Sequence, residues 1–171
     1  MVKIYLRIHH VICMQSFIGK GYSENFVQNF SNILNYIKSN PLLKCIYFVN
    51  CCDDICKCCP NKLYQNIHNN EQYVKYLDDS YESSSNKCKN KKYIKYLNNS
   101  YKASSNQCKD EQYVKYLDNE YKFVCKFKYN TKYSLYEINN IIKNNLTMNT
   151  FEKICYKCRW FEICKKLIKI K

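Results

Sequence analysis

The chain has 171 residues, with 28 Lys and Arg against 14 Asp and Glu and a net charge of +14. Only 2 Gly and 2 Pro occur, which argues against a many-turned β-sandwich and against Gly-rich phosphate loops. No run of 18 apolar residues is present to form a transmembrane helix.

In chain order, the first fourteen residues make a poor secretory leader. Arg7, His9 and His10 interrupt what would be its apolar stretch, so an ordinary strand or helix is expected. Phe26, Phe30, Ile33, Leu34 and Ile37 space as a helix over about 23–39, with Ser23 as cap and Pro41 as stop. Residues 42–50 are a short apolar run, strand or buried helix. Residues 51–62 are a Cys-rich connection, in which Asp53-Asp54 reads as a solvated turn.

Residues 70–89 and 90–109 match at 12 of 20 positions, and 110–121 match 70–81 at 9 of 12. This tandem repeat is the clearest pattern in the chain. Tyr73, Val74, Leu77 and Tyr81 fall on one face of a helical wheel. Copies two and three repeat this face with Tyr93, Ile94, Leu97, Tyr101 and with Tyr113, Val114, Leu117, Tyr121. A twelve-residue helix is marginal alone, so each stripe must bury against a neighbour. Leu135, Ile138, Ile141 and Ile142 space as another helix, stopped at Asn144-Asn145. Residues 151–171 carry seven Lys or Arg and two Glu and read as one final amphipathic, basic helix. The expected fold is mainly α, a small Cys-rich helical bundle containing a triplicated 20-residue helix-loop unit. Its expected divisions are 1–60, 61–128 and 129–171.

The 13 Cys are scattered, which suits long-range disulfides better than one compact metal site. The disulfide candidates are Cys45, Cys51, Cys52, Cys56, Cys58, Cys59, Cys88, Cys108, Cys125, Cys155, Cys158 and Cys164. The weak leader conflicts with this expectation, because the cytosol keeps thiols reduced. The alternative is zinc. Cys51 to Cys59 is dense enough for soft ions, and Cys155-x2-Cys158 has the spacing of half a zinc knuckle. Cys56, Cys59, Cys155 and Cys158 are its ligands, in an intracellular, nucleic-acid-associated protein. Nucleic acid is otherwise an unfavoured partner, since base readers lean on Arg and only Arg7 and Arg159 occur. No catalytic motif is present among His9, His10 and His68 or elsewhere, and neither an enzyme nor a cofactor is expected.

Tyr113-Val-Lys-Tyr116-Leu117, Tyr121, Cys125, Tyr129-Asn130, Tyr133, Leu135 and Ile138 resemble the Plasmodium interspersed repeat (PIR, including vir) proteins over roughly residues 70–142. The resemblance implies a truncated or degenerate variant surface antigen, with a helical ectodomain exported toward the infected host-cell surface. It also implies host surface or serum proteins as partners, antigenic variation as the role, and no catalysis.

Overall fold

The computed structural model describes residues 2–64 and 106–170. Residues Met1–Lys62 and Cys108–Lys171 form one compact unit and Leu63–Gln107 a second. The third Tyr-Leu copy belongs to the first unit, although the sequence grouped it with the other two. The helices expected over copies one and two, with His68 and Cys88, lie outside the described residues.

Mainly α is what the chain adopts. Strand β1 (Ile4–Leu6) leads into helix α1 (Ile8–Cys13), followed by α2 (Glu24–Ser39), β2 (Ile46–Phe48) and a 3-10 turn at Ile55–Cys58. Strands β3 (Lys62–Tyr64) and β4 (Asn106–Cys108) pair as a two-stranded sheet. Then come α3 (Glu111–Cys125), β5 (Lys132–Tyr133), α4 (Leu135–Asn145), α5 (Met148–Cys155) and α6 (Phe161–Leu167). A small sheet of order β1-β2-β5 completes the first unit. β1 and β2 run parallel, with Ile4 opposite Ile46 and Leu6 opposite Phe48. β5 joins antiparallel, with Tyr133 opposite Ile46.

Local chemistry explains the helix ends. Ser23 Oγ accepts the Phe26 N–H at 3.2 Å, as expected of a cap. Ser134 and Glu137 close a reciprocal capping box at the start of α4. Thr147 Oγ1 accepts the Thr150 N–H at 3.3 Å. Lys126, with φ of 56°, ends α3 in the left-handed conformation. Gly21 leaves no room for a side chain, because a Cβ would stand 2.6 Å from the Phe26 ring.

The expected basic helix over 151–171 is two helices. Between α5 and α6, Cys158 N–H donates to Cys155 O at 2.7 Å and Phe161 N–H to Cys158 O at 2.9 Å. Three-residue steps replace the helical four, and the chain turns.

Phe26, Phe30, Leu34 and Ile37 of α2 enter one core with Ile8, Val11 and Ile12 of α1, Leu117 and Tyr121 of α3, Ile138 and Ile142 of α4, and Phe151 and Ile154 of α5. Into this core the fold also places charge. Arg7 is 0% exposed. Its Nε donates to Asp118 Oδ2 at 2.7 Å, and its Nη1 to Glu111 Oε2 at 3.0 Å. Asp118 Oδ1 accepts from the His9 backbone N–H at 2.9 Å and faces His9 Nδ1 at 2.8 Å. Arg7 thus ties the junction of β1 and α1 to α3.

Asp53 and Asp54 are not a solvated turn. Both are buried, because β1 and α1 leave amides and an imidazole that need acceptors. Asp53 Oδ2 takes the Arg7 N–H and faces His10 Nδ1, both at 2.6 Å, while Oδ1 takes the Cys56 N–H at 3.0 Å. Asp54 Oδ2 takes the Tyr5 N–H at 2.7 Å. Asn29 of α2 donates to the carbonyls of Asp54 and Ile55 at 2.9 and 3.1 Å.

Burial alone would raise the pKa of Asp53 and Asp118. The facing imidazoles and donated N–H groups outweigh it, helped at Asp118 by the Arg7 guanidinium, and hold both below the ordinary 3.8. Burial, with His10 beside it, pushes His9 below its ordinary 6.5 despite Asp118. All three groups bind protons less readily in the folded chain than in the unfolded one. Their stabilisation is therefore complete above about pH 6.5 and lost on acidification. Urea titrations at stepped pH should show stability falling first below about 6.5, through His9, and again below about 4, through the carboxylates. Arg7→Met, which strips the guanidinium from buried Asp118 and half-buried Glu111, should cost ~3–5 kcal/mol in the same assay.

Candidate metal centre

No disulfide joins any of the twelve described cysteines. The expected cross-links among Cys45, Cys51, Cys52, Cys56, Cys58, Cys59, Cys108, Cys125, Cys155, Cys158 and Cys164 are not formed. Cys45 and Cys125 instead sit in the apolar core, where burial pushes the Cys125 thiol up to about 12. Burial likewise lifts Cys51 to about 11.

Eight of the other described thiols fall into two sets whose members influence one another's ionisation. The first joins distant parts of the chain. Cys13 ends α1, Cys155 ends α5, Cys158 lies in the turn after it, and Cys164 is on α6. Burial raises the Cys13 thiol well above its ordinary value, and Cys158, Cys155 and Cys164 add to the rise. Cys155 is lifted to about 12 by burial, with Cys158 and Cys164 contributing and a hydrogen bond from Tyr121 opposing. The Tyr121 hydroxyl lies 2.9 Å from Cys155 Sγ. Tyr113, about two turns earlier on α3, brings a second phenol. Its hydroxyl is buried without a hydrogen-bond partner, and burial together with Cys158, Cys155 and Cys13 raises its pKa.

The second set is Cys52, Cys56, Cys59 and Cys108, around the 3-10 turn and β4. Cys56 lowers the pKa of the Cys52 thiol, and Cys52 in turn raises that of Cys56. Cys59 is raised by burial, with Cys108 and Cys52 adding to it. Cys108 is raised by burial, with Cys52 again contributing. Beside this set, the ligand atoms of His10, Asp53 and Cys56 lie within 4.8 Å of one another.

The zinc ligands expected from sequence therefore divide. Cys155 and Cys158 belong to the first set, and Cys56 and Cys59 to the second. Sequence reasoning left Cys13 out of every ligand set, since it stands alone in α1 with no cysteine near it in the chain. Cys164 was seen only as a cross-link candidate.

No described helix is long and apolar enough to cross a membrane. No curated protein and no solved structure matches the chain. The model of one family matches it twice, over residues 21–104 and 96–164. The two matches overlap inside the second Tyr-Leu copy. This overturns the resemblance to the Plasmodium interspersed repeat proteins, whose motifs were short and built from the commonest residues here. With it goes the support that it lent to a surface-antigen role at the host cell. The matches together span most of the chain, and the chain belongs to the family described as "Protein of unknown function (DUF1284)".

Proposed function

We propose that this chain is a metal-thiolate protein, an electron carrier and not an enzyme, in which Cys13, Cys155, Cys158 and Cys164 hold an iron–sulfur cluster. The observation that carries the reading is the convergence of these four thiols from both ends of the described chain. Four Cys thiolates are the ordinary ligand set of such clusters.

Two features fit a polynuclear centre. A single zinc, with Zn–S of about 2.3 Å, holds its sulfurs ~3.8 Å apart. Among the described residues, the group of three ligand atoms within 4.8 Å is His10, Asp53 and Cys56, so the four thiols are set wider. The buried Tyr113 hydroxyl also lacks an acceptor, and a buried donor left unpaired costs about 1–3 kcal/mol. Thiolate or sulfide sulfur beside it supplies one.

A bound cluster supplies one-electron transfer at a potential set by hydrogen bonds and exposure. The chain's own part is to surrender thiol protons and keep water away. With the group bound, Tyr121, whose hydroxyl lies 2.9 Å from Cys155 Sγ, would donate to the Cys155 thiolate, and Tyr113 would donate beside it. Because burial holds Cys13 and Cys155 protonated at neutral pH, loading releases protons, and affinity rises with pH.

The Cys155–Cys158 turn, closed at 2.7 Å, favours a second reading, one zinc in the same four-thiol set. Anaerobic reconstitution separates the two. Iron and sulfide with a visible absorption bleached by dithionite supports the cluster, whereas one colourless zinc supports the other. Cys13→Ser and Cys164→Ser should each lower metal content at least ~10-fold. A chain that holds neither metal would overturn the proposal. Tyr113→Phe should leave the loaded centre bound and lower its reduction potential. In the metal-free chain the same change should raise stability by ~1–3 kcal/mol, read by urea denaturation, because it removes the unpaired hydroxyl.

A further inference from the structure

We infer that His10, Asp53 and Cys56 form a site for one zinc-type divalent ion, with a fourth position left for water. It is separate from the Cys13 set and stands whether or not that set carries a cluster.

The ligand atoms are already close. One from each of the three residues lies within 4.8 Å of the other two. A tetrahedral zinc, with Zn–N and Zn–O of about 2.0–2.1 Å and Zn–S of about 2.3 Å, holds N and O ~3.3 Å apart and either one ~3.6 Å from sulfur. His10 Nδ1 and Asp53 Oδ2 are 2.6 Å apart, across one hydrogen. An ion that replaces this hydrogen opens the pair by less than ~1 Å and draws the sulfur in by no more than ~1.2 Å.

The surroundings hold the three ligands in place. His10 is on α1, Asp53 precedes the 3-10 turn, and Cys56 lies within it. Asp53 Oδ2 takes the Arg7 N–H at 2.6 Å, and Oδ1 takes the Cys56 N–H at 3.0 Å, which draws the carboxylate over the turn. Asn29 of α2 braces the same turn at the Asp54 and Ile55 carbonyls. Such outer hydrogen bonds fix ligand orientation. An ionised carboxylate accepts at about four sites. An ion in the place of the His10 hydrogen therefore leaves both backbone bonds to Asp53 intact.

Charge and donor type choose the ion. The Asp53 carboxylate and a Cys56 thiolate together balance a divalent cation, so the bound site is neutral. That matters where Asp53 and Cys56 are 4% and 8% exposed, because uncompensated charge is costly there. The His10 side chain is 12% exposed, which leaves an edge where ion and water enter. Mixed nitrogen, oxygen and sulfur donors suit zinc or cobalt, whereas magnesium and calcium take oxygen ligands. Three protein ligands with an open fourth position are the pattern of zinc sites that bind water.

The test uses full-length chain carrying Cys158→Ser and Cys164→Ser, two half-buried members of the first set, titrated anaerobically with Zn(II) alone and with Co(II) alone. The inference expects one ion per chain. X-ray absorption at the zinc edge should show one sulfur, otherwise nitrogen and oxygen, and the scattering of one imidazole. That reading needs no change in the ligands themselves, so it decides the matter even where a ligand variant does not fold. Adding Cys56→Ser or His10→Ala should weaken binding at least ~100-fold, with circular dichroism reporting which variants are folded. Cys51→Ser and Cys59→Ser, outside the group of three, should leave affinity unchanged. No ion bound by the folded double variant overturns the inference. So does a zinc shell with more than one sulfur, or full affinity in folded His10→Ala. Failure of the iron–sulfur reading alone would appear as one zinc in this mixed shell and no cluster absorption in the unaltered chain.

Discussion

A guanidinium without water around it must find its neutralising partners inside the protein, and Arg7 finds them on α3. Asp118 and Glu111 are seven residues apart, two turns of one helix, so a single planar fork reads one helix face. Everything attached to α3 is then placed. Tyr113 and Tyr121 turn toward the first set of thiols, and Glu111 holds the backbone of Cys108 in the second. Removing the fork would leave the buried Asp118 carboxylate without its guanidinium in a low-dielectric interior, which is costlier than never having had the pair. The fold and both sulfur sets thus share one electrostatic anchor.

A buried thiol with a raised pKa is a mild hydrophobe and an inert one. Cys13, Cys155 and Cys158 are raised by burial in this way, and they leave Tyr113 without an acceptor. Metal ligation at the proposed centre would give Tyr113 a partner, because thiolates bound to a cation present sulfur lone pairs to nearby donors.

Much of the scaffold was legible in the residues. The α2 stripe, its Ser23 cap, the α4 spacing and the Tyr-Leu face of α3 follow from periodicity and capping chemistry. The broken C-terminal helix was not, since Tyr156 to Trp160 contain neither Gly nor Pro and the break comes from three-residue turns at Cys155 and Cys158. Asp53 was read as part of a solvated turn because its partners, Arg7 and His10, lie far away in the chain, and Asp118, whose partners are Arg7 and His9, was not singled out for the same reason. Cys13 was hidden for the same reason. In the second set, Cys58 stands inside Cys56-x2-Cys59 and masks the spacing. One local signal did exist. Copy three has Glu111 and Asp118 where copy two has Lys91 and Asn98, a difference that opposes copy two to Arg7. The family resemblance failed because residues such as Lys, Asn and Tyr, abundant here, align readily without shared structure.

The proposed centre draws on Cys13 and on Cys164, which lie far apart in the chain. During translation the first of these thiols must wait, reduced and unligated, until Cys164 has been made. Assembly of such a centre would therefore follow synthesis of α6, and a nascent chain interrupted before Cys164 would expose orphan thiols to whatever oxidant or chaperone it meets first.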